Sequence, residues 1–212
     1  MPVVTALRAT RRGGVALHVD DKYVCVVSES LVARWRLFKG RELDAPDVAA
    51  IRAASSAERV MGDAYRLLGH RARSREELRR RLLAKDHDEH AVEDALEKLS
   101  ADGFLDDAAF ARSYAADKRR IGGWGEARIR RGLRELGVAA ADADDALGAQ
   151  GGGEGEELER ALAVLRRRGA PEQPLDAARR RALQALQRRG FSSSVAYAAV
   201  RLWAEGEPPR PN

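Results

Sequence analysis

The chain has 212 residues, enough for one or two compact domains or one extended array. It is 44% hydrophobic but only 5% aromatic, with 33% charged residues, which suits helices packed through Leu, Ala and Val beneath wide solvated faces. A net charge of +5 favours polyanionic partners weakly, because 33 acids are interspersed with 38 bases, and the single cysteine excludes an internal disulfide.

The first forty residues differ from the rest. Val15, Leu17 and Val19 alternate with Ala16 and His18, and Tyr23, Cys25 and Val27 alternate with Val24 and Val26. Asp20-Asp21-Lys22 between them reads as a turn, so the pair predicts a β-hairpin. Val3 to Arg8 offers a third strand, entered through the Gly13-Gly14 turn. Cys25 reads as a small buried residue on a strand. A sheet this small needs a partner, and Ser30 to Phe38 supplies one: Leu31, Trp35 and Phe38 fall at helical spacing, and Gly40 reads as the stop. Pro46 then opens another short helix, with Asp44 as its N-cap. These features define an N-terminal segment, 1–56. It lacks the basic start and apolar core of a signal peptide, and no stretch of the chain approaches the ~20 apolar residues that span a membrane. A cytoplasmic, reducing setting is expected.

From about residue 57 a helical unit recurs three times. Leu78, Ile129 and Ala182 are equivalent, as are Leu82, Leu133 and Leu186, and Leu96, Leu147 and Val200. A fixed period of this kind marks stacked repeats. The first, 57–105, predicts helices near 57–69, 75–85 and 88–101, with Ser74 and Glu77 as a capping box. The second, 106–150, predicts helices near 106–120, 125–136 and 140–148, with turns at Gly122-Gly123 and Gly137. The glycine-rich stretch 151–155 reads as a linker. The third, 156–206, predicts helices near 156–169, 175–189 and 193–205, with a cap cluster at Ser192-Ser193-Ser194; 207–212 form a tail. The fold class is mainly α: an elongated array of three tandem three-helix repeats behind a small β-hairpin and helix segment.

Arginine carries the functional signal. Arg79, Arg80 and Arg81 lie on the first middle helix, Arg128, Arg130 and Arg131 on the second, and Arg179, Arg180 and Arg181 on the third. Arg75, Arg119, Arg120, Arg188 and Arg189 extend the set. Consecutive helical residues point about 100° apart, so one member of each triplet is expected to turn inward while two reach solvent. Such a stripe suits phosphates or carboxylates. The plainer alternative is solvated arginines paired with acids at i+4.

Other motifs carry less. Asp86-His87-Asp88-Glu89-His90 places two histidines at i and i+3, but no third ligand is near, and an N-cap followed by first-turn acids explains it. Gly122-Gly123-Trp124-Gly125 lacks the Gly-Lys-Ser/Thr ending of a phosphate loop and reads as a helix–helix turn. No catalytic constellation, cofactor motif or nucleotide fingerprint is present, and neither an enzyme nor a cofactor is expected.

In the second repeat, Gly103-Phe104-Leu105-Asp106-Asp107, Phe110-Ala111, Tyr114, Gly125, Ile129, Leu133 and Gly137-Val138 resemble the RecX family of recombination regulators. Leu67-Leu68, Arg73-Ser74, Glu77-Leu78 and Leu82 are similar to that family's first unit, and the resemblance covers roughly 60–205. It departs from the family at Asp86-His87, where a Lys-Gly or Arg-Gly turn is more usual. The resemblance implies a non-enzymatic protein that binds the RecA recombinase filament on single-stranded DNA and restrains its extension, ATPase and strand exchange, in recombination, repair and the SOS response; a monomer is expected. It also implies a curved molecule lying along the filament groove. Gly103, Phe104, Tyr114, Ile129 and Leu133 are expected to hold the repeats together. Two other functions compete: direct binding of single- or double-stranded DNA without recombinase, acting on nucleic acid or transcription, and a helical adaptor for another protein.

Overall fold

A computed structural model describes residues 1–11, 13–148, 153–171 and 174–206. Three strands, β1 (Val4–Ala9), β2 (Val15–Val19) and β3 (Lys22–Val27), form an antiparallel sheet in chain order. Asp20 and Asp21, both at positive φ, make the tight turn between β2 and β3. Among the described residues ten helices follow: α1 (Glu29–Arg34), α2 (Ala45–His70), α3 (Arg75–Leu83), α4 (Glu89–Ala101), α5 (Asp107–Arg120), α6 (Glu126–Glu135), α7 (Ala140–Gly148), α8 (Glu154–Arg166), α9 (Leu175–Arg188) and α10 (Ser193–Glu205).

The chain divides into two compact units. One comprises Met1–Ala72 and Leu78–Leu105; the other comprises Arg73–Glu77 and the residues from Asp106 on.

In the first unit one face of the sheet and α1 bury Val4, Leu17, Val27, Leu31 and Leu43 against Ile51 of α2. Cys25 sits half-buried at this cluster's margin, and burial pushes its thiol pKa up. The α1 helix is shorter than its apolar spacing predicts. Arg36 takes a positive φ, and the Arg41 guanidinium donates to the Trp35 and Arg36 carbonyls, so Phe38 leaves the helix and stands exposed. Gly40 does not cap the helix; its N–H donates to the Val4 carbonyl along the sheet edge.

The expected break near residue 57 is absent. Asp44 caps α2, whose 26 residues run unbroken from the sheet to the next core. Ser55 and Ser56 look like cap residues, yet the Ser55 hydroxyl donates to the Val26 carbonyl at 2.6 Å and leaves the helix intact. Val60 and Ala64 then join Leu78, Leu82, Val92, Leu96, Leu99 and Leu105 in a second core.

Asp63, on α2, accepts from Lys85 and faces His87 Nε2, both at 2.9 Å. Asp88 caps α4, and no group of three metal-ligating side chains forms among the described residues. The Lys85 hydrogen bond, opposed by partial burial and aided by His87, holds the Asp63 carboxyl at about 2, below its ordinary 3.8. A depressed folded pKa stabilises above the unfolded value and loses that contribution as pH falls through the folded one. Wild-type chain should therefore be more stable than Asp63→Asn at neutral pH, with the gap closing between about pH 4 and pH 2. Urea unfolding of both proteins across that range checks it.

The second unit holds two further three-helix cores. Phe110, Ala111, Ala115, Ile129, Leu133 and Leu147 form one, and Leu162, Leu165, Ala182, Leu186, Phe191 and Val200 the other. Every position of the inferred repeat pattern is buried. Residues 151–152 of the expected linker and the tail 207–212 lie outside the described residues; Gly153 is already the N-cap of α8, and Gly155 falls within that helix. The cores meet through backbone. Gly125 and Ala127 N–H groups donate to the Arg189 and Gly190 carbonyls at 2.8 and 3.2 Å, and Glu157 accepts from the Glu126 N–H at 3.1 Å. The Arg73–Glu77 segment meets the end of α6 in the same way. The Ser74 hydroxyl donates to the Leu136 carbonyl, Asp107 accepts from the Arg75 N–H at 2.8 Å, and Gly137 packs on Glu76. At both places an acid on a repeat's first helix satisfies an N–H that helix geometry leaves without an intrahelical partner.

Candidate partner interface

Each middle helix places its arginines around a buried reference residue. Counting 100° per residue from Leu78, Ile129 and Ala182 puts Arg80 and Arg131 at about 200° and Arg180 at about 160°, nearly opposite the core. All three are exposed, as are Arg81, Arg130 and Arg181, whereas Arg79, Arg128 and Arg179 are half-buried. The one-in, two-out division matches the sequence expectation. The triplets are not equivalent by position, however. Each is offset against its core residue, and what recurs is an exposed arginine nearly opposite the core: Arg80, Arg131 and Arg180.

Several sequence-selected arginines are committed locally. Arg79 pairs with Glu89 and Glu93 of α4, and Arg130 with Asp144 of α7 at 3.0 Å. The same offset along the chain separates Arg79 from Arg130 and Glu93 from Asp144, so this is a repeated tie from middle to third helix. It is a different tie from the i+4 pairing considered from sequence. Arg120 and Arg179 pair three residues back, with Asp117 at 3.3 Å and Asp176 at 3.9 Å.

Arg119 departs furthest from a surface role. Its side chain is 7% exposed, and its guanidinium donates to the Leu147 carbonyl at 2.8 Å and to Glu126 at 3.4 Å. Burial and the nearby Arg160 lower its pKa. Glu126 moves up, because burial and the Glu157 carboxylate outweigh Arg119 and Arg160. Arg160 reaches Glu126 as well, at 3.4 Å, so two guanidinium groups clasp one carboxylate where α5, α6, α7 and α8 meet. Sequence gave no sign of this, because Lys118-Arg119-Arg120 reads as uniformly solvated.

The Gly122-Gly123-Trp124-Gly125 segment is a helix–helix turn. Trp124 packs across it: the Arg128 guanidinium lies 3.9 Å from its ring centre and the Lys118 ammonium 4.9 Å. Arg128 Nη1 also donates to the Arg188 carbonyl at 3.4 Å. Arg188 is exposed, and Arg189 turns back to the Ala185 carbonyl at 3.4 Å. Arg75 is half-buried at the start of α3. Tyr114, Ile129 and Leu133 serve packing as expected, but Phe104 is 56% exposed, edge-on to Tyr65 at 5.3 Å.

No helix among the described residues is long and apolar enough to cross a membrane.

Family models for the first, second and third three-helix domains of RecX match residues 61–99, 106–147 and 155–200. The regulatory protein RecX of Limosilactobacillus reuteri (strain DSM 20016) is 33% identical over 185 residues, 87% of this chain and 70% of that protein. The RecX of Xanthomonas campestris pv. campestris (strain B100) is 38% identical over 136 residues, 64% of this chain and 82% of that protein. A crystal structure of a regulatory protein RecX superposes with a TM-score of 0.66 at 30% identity, covering 95% of this chain and 99% of that one. The crystal structure of RecX from Lactobacillus salivarius shares the fold, with a TM-score of 0.62 at 20% identity over 70% of this chain and 96% of that one. Three matching domains in order, relatives aligned over most of their length and a shared fold assign this chain to the RecX family of regulatory proteins.

Proposed function

We propose that this protein binds the RecA recombinase filament on single-stranded DNA and restrains its extension, and with it ATP hydrolysis and strand exchange. The observation that carries the reading is an exposed arginine that recurs nearly opposite the core of every middle helix: Arg80, Arg131 and Arg180. Three like contacts, one per repeat, suit a partner that is itself repetitive, because each engaged site raises the effective concentration of the next. Guanidinium groups pair with carboxylates or phosphates, and a nucleoprotein filament offers both. The contact needs no catalytic group, and the action is steric: a repeat protein bridging neighbouring subunits opposes the next addition or the change of shape that turnover requires.

Filament growth on single-stranded DNA, followed with substoichiometric protein, tests this. Slower growth and a lower ATPase rate are expected. Unchanged rates at saturating protein contradict the proposal.

A further inference from the structure

Between α9 and α10 runs a groove of about 490 Å³ lined by Arg179, Arg180, Leu183, Tyr197, Val200 and Arg201. Its construction follows from helical spacing. Tyr197, Val200 and Arg201 stand at i, i+3 and i+4 on α10, and Arg179, Arg180 and Leu183 share a face of α9. Val200 is buried and Leu183 half-buried, so the floor is apolar. Tyr197 forms the lip and is 61% exposed, so one face of its ring is open to a ligand. The lining holds three arginines and no acid; Asp176 approaches Arg179 from outside at 3.9 Å.

We infer that this groove is a binding site for single-stranded nucleic acid, with Tyr197 stacking on an unpaired base and Arg180 and Arg201 holding the flanking phosphates. An exposed aromatic face between guanidinium groups is the chemistry that receives a base and its backbone together. A duplex keeps its bases stacked and would meet only the arginines. An acidic peptide would satisfy the charge but leave the ring without a planar partner. The site acts without recombinase and turns on Tyr197, which the filament reading does not use, so a recombinase-free test of Tyr197 is read separately from that reading although Arg180 belongs to both.

The test is fluorescence anisotropy of a labelled oligothymidylate with the full chain and no recombinase. Tyr197→Ala should weaken single-strand binding about tenfold, which corresponds to ~1.4 kcal/mol of lost stacking, while Tyr197→Phe binds like wild type and duplex affinity is unchanged. Reversing Arg180 and Arg201 together, each to Glu, should lower the slope of log affinity against log salt by ~1.4, the value for two phosphates of a single strand. The Tyr197 ring, Arg180 and Arg201 are all exposed, so these variants fold. Unchanged affinity in Tyr197→Ala overturns the proposal, as does an abasic strand that binds as tightly as the intact one. Equal losses on duplex and single strand also overturn it, because they reduce the groove to a phosphate contact.

Discussion

Arg119→Ala should lower the stability of the second unit by about 2–3 kcal/mol, whereas Arg120→Ala, its immediate neighbour, should change it by less than about 0.5 kcal/mol. Both residues belong to one basic run, but the Arg119 side chain is 7% exposed and that of Arg120 75% exposed. Removing the Arg119 guanidinium takes a donor from the Leu147 carbonyl and leaves Glu126 with one cation where it had two. Breaking a fully buried pair costs about 3–5 kcal/mol; the remaining Arg160 contact argues for the lower figure. For a chain of this size that is a fall of roughly 5–10 °C in the midpoint. Calorimetry of the two variants decides it. A normal melt for Arg119→Ala would show that the clasp contributes no stability. Any loss of partner binding in this variant should follow its unfolding.

Gly190→Ala should destabilise by about 3 kcal/mol, the sum of a left-handed backbone imposed on alanine and an overpacked contact. Gly190 has φ +83, and a Cβ there would lie 2.9 Å from the Arg128 Cα and closer still to its backbone N and Cβ. The contact is backbone against backbone, because Gly125 and Ala127 donate to the Arg189 and Gly190 carbonyls, so neither side yields by rotating a side chain. Gly169 supplies the control. Its φ is +89, but a Cβ would meet nothing within 4 Å, so Gly169→Ala should cost only about 1 kcal/mol. Urea unfolding of the pair separates conformational cost from steric cost. Equal losses would mean that the junction gives way easily.

The packing was legible in the sequence and the surface only in part. Leu78, Leu82, Leu133 and Leu186 repeat at helical spacing because one stripe of each helix must be buried, and all are buried. Gly103, Gly137 and Gly190 mark helix ends for the same kind of local reason: each adopts a positive φ. What failed locally was decided by distant partners. The boundary expected near residue 57 is crossed by α2, on which the Ser55 hydroxyl donates to the distant Val26 carbonyl. Phe38 fits the α1 stripe but is excluded because Arg41 holds the preceding carbonyls. Arginine triplets show a residue type without showing a face. Arg79 and Arg130 are tied to Glu93 and Asp144 of neighbouring helices, which no i+4 rule anticipates. Arg119 is enclosed only when α7 and α8 pack over it. The groove beside Tyr197 needs two helices, and neither sequence alone displays it.

The most direct test is co-sedimentation with recombinase-coated single-stranded DNA, with bare strand as control, comparing wild-type chain with a variant in which Arg80, Arg131 and Arg180 are each changed to Glu. Wild type should pellet with the coated strand well below the concentration needed on bare strand. The variant, with an unchanged melting curve, should remain in the supernatant. Equal sedimentation of the two proteins, or wild type pelleting no better with coated than with bare DNA, would contradict the account.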